Sequence, residues 1–269
     1  MPRVLFWNVQ RKPLDGLVVP LVAAARPDLL ILVEYPSGSL LPGLLAADGY
    51  TLRPGNARFG VFARTSLVTV REPGSGVFER ADFWRLTPAG EDDWLLAVVH
   101  GPDRRNATDG TRRVLFKRVA DHVRSVEART GHRRTVVCGD FNANPFDPSV
   151  LDADGLHAIG VKRVGREPHR GVREQGRVDY FYNPMWRLYG TDPAGDAAAA
   201  THYHHDRQSA ELCWHMLDQV VIRPEAADRL AEAELRILRA AGKIPLVRAD
   251  GRPDDTRASD HLPVLFRLI

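Results

Sequence analysis

The sequence predicts an α/β fold, and three of its features support this prediction. Short apolar segments such as Leu29–Val33 and Val136–Cys138 are bounded by polar, Gly or Pro residues, which is typical of strands in a buried core. Residues 15–25 are apolar enough for a helix, and residues 111–129 show apolar positions at spacings of three and four. Several predicted strands end at an acid, an amide or an imidazole. We therefore expect a sheet-based core with polar groups at its edge.

Composition limits the class of protein. The chain has 269 residues, of which 44% are hydrophobic and 26% charged, so it can form one large core or two small ones. The net charge of +3 permits a polyanionic partner without requiring one. Cys138 lies in a predicted core strand and Cys213 is the only other cysteine, so we expect no disulfide framework and a reducing, cytoplasmic location. The N-terminus shows no signal-peptide pattern, and no apolar run approaches the roughly 18 residues of a membrane span.

The first two predicted strands end in polar side chains. Val4–Trp7 is followed by Asn8 and Gln10, two amides that lie two residues apart. The most apolar run of the chain stops abruptly at Glu34. A carboxylate at the end of a buried strand is costly unless a metal ion or a charged partner compensates it. A glutamate that simply emerges into solvent would give the same pattern, so this position alone does not distinguish a compensated buried carboxylate from an exposed one.

The next part of the chain predicts further strands. Phe59–Phe62, Leu67–Val70 and Ala81–Leu86 are short, amphipathic and separated by Gly, Pro and Ser, so we expect an antiparallel meander. Trp94–Val99 is another apolar strand, and it ends at His100.

A glycine, an aspartate and an asparagine follow the strand Val136–Cys138. Gly139 permits a tight bend or a close approach of another chain segment. If the strand direction persists, Asp140 and Asn142 project to the same side, because side chains alternate along a strand. The alternative is a strand followed by an Asx turn.

Acidic and imidazole groups recur near the C-terminus. Met216–Ile222 is a predicted strand with Asp218 near its start, and Asp260 and His261 stand directly before the last strand. Residues 224–242 have helical composition, although part of this segment could pair as a strand.

Two other segments are distinctive in composition. The run His202-Tyr203-His204-His205 suggests zinc, but Cys and Asp are not spaced in the sequence for a closed site, so we favour an exposed loop that lines a pocket. Residues 160–176 are rich in Arg and Gly and predict a mobile basic loop. The Ala/Gly/Asp segment 191–200 is too weak a signal for a domain boundary, so we expect one domain over residues 1–269.

In their order, these residues resemble the endonuclease/exonuclease/phosphatase superfamily, the DNase I-like proteins. The resemblance extends from residue 3 to residue 268. It implies a four-layer α/β/β/α sandwich, in which two mixed sheets are flanked by helices and the polar strand ends converge at one rim. The motifs that support it are Trp7-Asn8, Glu34, His100, Gly139-Asp140-Phe141-Asn142, Asp218 within Leu-Asp-Gln-Val, and Ser259-Asp260-His261-Leu262-Pro263-Val264.

The resemblance also implies a divalent-metal-dependent phosphoester hydrolase. Glu34 and Asp260 offer hard carboxylate oxygens suited to Mg²⁺ or Mn²⁺, and Asn8 adds a neutral ligand or a hydrogen bond. By resemblance, Asp140 orients or deprotonates the attacking water, and Asn142 holds a phosphate oxygen.

The remaining roles that the resemblance implies involve the imidazoles. His261 donates to the phosphate, and Asp218 keeps that imidazole charged, because a nearby carboxylate raises a histidine pKa. His100 binds phosphate or assists the leaving group. Several nucleases of the family have an acid where this chain has Gln10, so we expect catalysis with a single metal ion and Gln10 as a polar neighbour.

The sequence favours a nuclease among these hydrolases. Arginine-rich loops, with Arg104 among their residues, could contact phosphate, and Trp186 and Tyr203 could stack on bases. The same aromatic residues could instead pack in the core. Two alternatives stay open: a phosphatase or phosphodiesterase of a small-molecule or lipid phosphoester, and a catalytically silent binding module on the same fold.

Overall fold

Two mixed β-sheets form the centre of the computed structural model, which describes residues 1–163, 179–189, 200–204 and 213–269. The first sheet contains β1 (Arg3–Asn8), β2 (Leu29–Val33), β3 (Tyr50–Arg53), β4 (Phe59–Arg64), β14 (Arg236–Ile237) and β17 (Val264–Arg267), in the order β14-β17-β1-β2-β4-β3. The second contains β5 (Leu67–Arg71), β6 (Ala81–Pro88), β7 (Trp94–His100), β8 (Thr135–Asp140), β9 (Ala158–Ile159), β10 (Phe181–Tyr182) and β13 (Asp218–Ile222), in the order β5-β6-β7-β8-β13-β10-β9. Two small ribbons pair β11 (His202–Tyr203) with β12 (Trp214–His215) and β15 (Ala240–Ala241) with β16 (Ile244–Pro245).

Four α-helices are present in the described part of the chain: α1 (Asp15–Ala25), α2 (Leu41–Ala46), α3 (Asp109–Thr130) and α4 (Pro148–Leu151). The longest, α3, begins after Thr108, whose side chain accepts a hydrogen bond from the Thr111 N–H, and ends at Gly131 in the left-handed conformation. Short 3₁₀ segments occur at Ser75–Val77, Pro184–Arg187, Pro224–Arg229 and Glu232–Glu234. Among the described helices, none is both long and apolar enough to cross a membrane.

The apolar side chains form three cores, which define four layers. Alternate residues of β1 and β2 pack against the second sheet, and this central core includes Phe6, Ile31 and Val136. The opposite face of the first sheet packs on α1 and α2, and the opposite face of the second packs on α3 and α4. Central strands such as β1, β2 and β7 are almost continuously apolar because they are buried on both faces. The predicted four-layer α/β/β/α sandwich is therefore confirmed.

Strand register brings the polar strand ends together. Strand β1 runs parallel to β2, with Asn8 opposite Val33, and β7 runs parallel to β8, with His100 opposite Asp140. Because β13 is antiparallel to β8, Asp218 at its start lies opposite Asp140 at the end of β8. The carboxyl ends of four strands and the amino end of a fifth thus meet at one rim.

One local prediction was wrong, and one alternative that the sequence left open is decided. The meander does not exist as one unit, because β4 pairs with β2 in the first sheet whereas β5 and β6 belong to the second. The amphipathic pattern of each strand identified the strands but not their partners. In segment 224–242 the strand alternative holds for a short part, because Arg236–Ile237 forms β14 and pairs with β17; the rest contains two 3₁₀ segments and part of a ribbon. Most of segments 160–176 and 191–200, together with His205, lies outside the described residues.

Candidate active site

The strand ends open into a cleft of about 900 Å³ between the two sheets' rims. Every side chain that the sequence predicted as metal-binding lines this cleft: Asn8, Glu34 and Asp260. So do His100, Asp140, Asn142 and His261. Its walls are strongly basic, since six arginines contribute: Arg11, Arg58, Arg80, Arg104, Arg105 and Arg112. The cleft therefore combines a cluster of acids and imidazoles with cationic walls, which suits a phosphorylated ligand.

Asp140 lies at the centre of the cluster. Its Oδ2 accepts a hydrogen bond from Asn8 Nδ2 at 2.9 Å. The same oxygen is 3.9 Å from His100 Nε2 and 3.8 Å from His261 Nε2, so it lies between two imidazoles. Burial raises the pKa of the Asp140 carboxyl above its usual range, an effect that His261 opposes and Asp218 reinforces. A raised pKa makes this carboxylate a better proton acceptor near neutral pH.

Asp140 and Asn142 are brought together by a backbone turn and not by the alternation of side chains along a strand, and the same is true of Asn8 and Gln10. The Asn142 N–H donates to Asp140 Oδ1 at 2.8 Å, and the Gln10 N–H donates to Asn8 Oδ1 at 3.0 Å. Asn142 and Gln10 have positive φ angles of 49° and 53°. Each pair is thus an Asx turn at the end of a strand, the alternative that the sequence left open. The turn also brings Asn142 Nδ2 to 3.3 Å from Asp140 Oδ2, so the two side chains do meet.

Asp218 and His261 form a buried pair. His261 Nδ1 lies 2.7 Å from Asp218 Oδ2, and both side chains are almost completely buried. Burial alone would lower the pKa of His261, but Asp218, together with Asp140 and Asp260, raises it to about 10. The imidazole is therefore positively charged at neutral pH, with Nδ1 bonded to Asp218 and Nε2 facing the cleft.

His100 has the opposite protonation state. Burial lowers the pKa of His100 to about 4; Asp140 opposes this effect, and Arg58 and Arg80 add to it. Arg58 Nη1 lies 3.5 Å from His100 Nδ1 and can only donate, so the imidazole proton belongs on Nε2. That nitrogen is 3.4 Å from Glu34 Oε1. His100 is thus a neutral donor pointing at the carboxylate of Glu34.

The backbone of Glu34 has a positive φ of 53°, which is unusual for a residue with a side chain. This conformation ends β2 and turns the carboxylate into the cleft, where its Oε2 is 3.9 Å from Arg11 Nε. Glu34 is therefore not simply a residue emerging into solvent. A carboxylate here, with the Asn8 amide oxygen nearby on the next strand, is a donor set suited to a hard cation.

Asp260 contacts two imidazoles, one of which the sequence did not assign to the cluster. Its Oδ2 is 3.4 Å from His202 Nε2, and its Oδ1 is 3.7 Å from His261 Nε2. Burial opposes ionisation, but His202 and His261 lower the pKa of Asp260 to about 2. Among the described residues, Asp260 Oδ1 is buried without a hydrogen-bond partner. His202 was predicted only as part of a pocket-lining loop, because no local pattern indicates that Asp260 lies opposite.

Two sets of three possible metal-ligating side chains are close together in the described part of the chain. One consists of His202, Asp260 and His261, and the other of Asp140, Asp218 and His261. The ligand atoms of each set lie within 4.8 Å of one another. Glu34 belongs to neither set.

The predicted substrate-binding residues differ in position. Gln10, Arg104 and Tyr203 line the cleft. The guanidinium of Arg104 donates to Asp147 at 2.8 Å, and the ring of Tyr203 lies 4.2 Å below the guanidinium of Arg252.

Trp186 does not line the cleft and instead lies beside Phe146, with ring centroids 6.3 Å apart. Its indole is 37% exposed, so it is not a core residue either. Stacking of a substrate base on Trp186 stays a prediction.

Comparison with solved structures identifies the fold. Truncated TDP2 from Caenorhabditis elegans has a TM-score of 0.60 and 15% identity, with 100% of this chain and 97% of that chain covered. ANGEL2, a 2',3'-cyclic phosphatase solved with adenosine-2',3'-vanadate, has a TM-score of 0.59 and 16% identity, with 99% and 95% covered. The endonuclease domain of TRAS1, a telomere-specific non-LTR retrotransposon, has a TM-score of 0.58 and 12% identity, with 99% and 97% covered. At these identities the likeness shows the fold alone.

A search of the curated proteins found no significant match. The sequence does match a family model described as the Endonuclease/Exonuclease/phosphatase family, over residues 5–261. The matched range includes both Asn8 and His261. With the family match covering nearly the whole chain and the fold shared with three of its structural neighbours, the chain belongs to the Endonuclease/Exonuclease/phosphatase family.

Proposed function

We propose that this protein is a divalent-metal-dependent phosphodiester hydrolase that acts on nucleic acid, with residues 1–269 as a single domain. The observation that supports the chemistry most directly is the position of Asp140. Its carboxylate lies between a neutral and a charged imidazole at the base of an arginine-lined cleft. A base, a charged donor and cationic walls are the groups that hydrolysis of an anionic phosphodiester requires.

Asp140 orients the attacking water and accepts its proton. Asn8 Nδ2 and the Asn142 N–H both donate to this carboxylate, which fixes its orientation. Asn142 Nδ2 also donates to the Gly101 carbonyl at 3.1 Å, so its amide is held beside the base. Its second N–H faces Asp140 Oδ2 at 3.3 Å, and this longer bond is the one that the amide would give up to donate to a phosphate oxygen.

His261 supplies positive charge to the phosphate. Asp218 fixes its Nδ1 proton, so the Nε2–H is the group left to donate to a phosphoryl oxygen as negative charge develops. His100 carries a second, uncharged donor at Nε2, which faces Glu34 Oε1 in this structure and would be free for the phosphate once Glu34 holds the metal ion. Because it is neutral, His100 positions the phosphate or the leaving oxygen by hydrogen bonding and does not act as a proton source.

Glu34, Asp260 and Asn8 are the residues that would hold Mg²⁺ or Mn²⁺. The donor set fits such an ion, since carboxylate and amide oxygens are its preferred ligands and Asp260 Oδ1 is buried without a partner in the described residues. The bound ion would neutralise charge on the phosphoryl oxygens. Gln10 Oε1 accepts from the Asp260 N–H at 3.3 Å, so a neutral amide supports this side of the site and we propose a single metal ion.

The arginines favour nucleic acid as the substrate. They come from several separate segments of the chain that line the cleft. A polymer of phosphates can contact several of them at once, with Arg104 and Tyr203 as candidate contacts to phosphate and base. Binding through several phosphates should weaken steeply as salt rises, whereas a small phosphoester should show a shallow salt dependence.

A substrate panel with and without Mg²⁺ or Mn²⁺ tests the proposal. The panel contains single- and double-stranded DNA, RNA and small phosphoesters, and the variants are Asp140→Asn and His261→Ala. Asp82→Asn is the matched control, because Asp82 is a buried carboxylate paired with Arg71 outside the cleft. We expect metal-dependent cleavage of nucleic acid that both site variants reduce by about 10²–10⁴-fold and the control retains.

The other outcomes each contradict part of the proposal. Activity on small phosphoesters alone would make the protein a phosphatase or a small-molecule phosphodiesterase. Substrate binding without hydrolysis, equal in wild type and Asp140→Asn, would make it a binding module on the same fold.

A further inference from the structure

His202, Asp260 and His261 are arranged like the ligands of a tetrahedral metal ion. The separations are 3.4 Å from His202 Nε2 to Asp260 Oδ2 and 3.7 Å from His261 Nε2 to Asp260 Oδ1. Metal–ligand bonds of 2.0–2.1 Å in tetrahedral geometry place ligand atoms about 3.3 Å apart. These two separations, which involve different oxygens of Asp260, are thus close to the spacing that a bound zinc ion imposes, and one possible ligand atom from each of the three residues lies within 4.8 Å of the others.

The backbone holds His202 in this position from two sides. His202 pairs with His215 across the ribbon of β11 and β12, and it forms an antiparallel bridge with His261. The Leu262 N–H donates to the Thr201 carbonyl at 2.8 Å. Two of the three possible ligands therefore stand opposite each other on paired backbone segments, which pre-organises the cluster.

The hydrogen bonding around the cluster orients the ligand atoms towards one another, and a metal ion must displace the proton on His261 Nε2. Asp218 occupies His261 Nδ1, so Nε2 is the nitrogen that faces Asp260. A carboxylate bonded to the second nitrogen is the usual companion of a metal-bound histidine. Asp260 Oδ1 is buried and has no hydrogen-bond partner among the described residues.

We propose that His202, Asp260 and His261 form a binding site for zinc or a similar nitrogen-preferring divalent ion, which shares Asp260 with the ligands Glu34, Asp260 and Asn8 proposed for Mg²⁺. Two imidazoles and one carboxylate select against Mg²⁺, which prefers oxygen. All three residues line the cleft, so a fourth coordination position opens towards substrate. Binding releases the Nε2 proton of His261 to solvent and places the metal where that proton was.

The consequence for activity rests on the proposed function. If His261 donates its Nε2 proton to the phosphate, zinc at this nitrogen removes the donor. Zinc should then inhibit the hydrolysis that Mg²⁺ supports.

The direct test measures metal binding without any substrate. Zn²⁺ is titrated calorimetrically and Co²⁺ by its visible absorption, into wild type, His202→Ala and His204→Ala. His204 is the matched control, because it lies in the same segment and lines the cleft but is outside the cluster. We expect one Zn²⁺ per chain and a tetrahedral Co²⁺ spectrum in wild type and His204→Ala. In His202→Ala, affinity should fall by more than the roughly 10–100-fold that loss of an outer-shell partner costs.

Equal zinc affinity in wild type and His202→Ala would overturn the site. Zinc X-ray absorption on the wild-type protein provides a check that needs no variant: two imidazole ligands are expected, and their absence also refutes the proposal. The activity measurement compares fractional inhibition: for each protein, the hydrolysis rate with Zn²⁺ is divided by the rate of the same protein without Zn²⁺. If no phosphoester is hydrolysed under any condition, the proposed function fails while the binding data still decide the zinc site.

Discussion

Replacing Asp218 with Asn should make the activity depend on pH in a way that the wild type does not. The substitution keeps the size of the side chain but removes the charge that lies 2.7 Å from His261 Nδ1. In the wild type the surrounding carboxylates raise the pKa of His261 to about 10, so the imidazole is fully charged at pH 7.5. In the variant, burial still lowers this pKa while Asp140 and Asp260 still raise it.

The size of the effect follows from the protonated fraction. If the pKa returns to the ordinary histidine value of about 6.5, about a tenth of the molecules carry a charged imidazole at pH 7.5 and about three quarters do at pH 6.0. Loss of charge alone then costs about tenfold at pH 7.5. Loss of ring orientation adds to it, for a total of roughly 10²–10⁴-fold.

The assay is the ratio of variant to wild-type hydrolysis at pH 7.5 and 6.0, with saturating Mg²⁺. Taking the ratio removes pH effects that both proteins share, but the titration of Asp140 is not one of them, because Asp218 and His261 both act on the pKa of that carboxyl. We expect the ratio to rise about eightfold towards pH 6.0 for Asp218→Asn and to stay flat for the control Asp82→Asn. A flat ratio for Asp218→Asn would show that the charge of His261 does not matter for the reaction.

Three further predictions concern stability. Arg223 is buried and donates to both carboxylate oxygens of Glu127, at 2.8 and 3.0 Å, so Arg223→Met should lower the free energy of unfolding in urea by about 3–5 kcal/mol. Substituting both Arg223 and Glu127 with apolar residues should recover most of that loss. If nothing is recovered, the loss in Arg223→Met does not come from leaving the Glu127 carboxylate buried without its partner. Gly139 has a φ of 131°, and a Cβ there would lie 2.1 Å from the Val99 carbonyl oxygen. Gly139→Ala should therefore lower Tm and activity together, and an unchanged Tm would refute this. Burial lowers the pKa of His122 below its ordinary 6.5, so the unfolded chain binds a proton more readily than the folded chain does. The free energy of unfolding should therefore fall as pH drops through 6.5, and it should depend less on pH in His122→Leu.

Local patterns in the sequence were sufficient to find most of the cleft. Asn8, Glu34, His100 and Asp140 each end or directly follow an apolar strand, and a strand buried on both faces has few ways to end except at the rim of its sheet. The helices α1 and α3 were predictable for a similar reason, since their apolar composition or spacing reports on burial. Pairing of strands was not predictable, and β4 was assigned to the wrong group for that reason.

Residues brought in by tertiary contact could not be predicted. His202 lies in a strand of two residues, and its contact with Asp260 depends on how that ribbon meets the segment before β17. Arg58 follows no recognisable motif, yet it is the donor that faces His100. The exposed position of Trp186 likewise depends on the packing of Phe146 and not on the composition around it.

The two imidazoles beside Asp140 show why such partners matter for function. His100 and His261 lie at nearly the same distance from one carboxylate oxygen, yet their pKa values are about 4 and about 10. The difference comes from their other neighbours, since guanidinium groups surround His100 whereas Asp218 bonds to His261. Environments that separate the pKa values of two similar groups assign them different roles. The charged ring can therefore stabilise developing negative charge while the neutral ring positions the substrate, and exchanging their neighbours should exchange their roles.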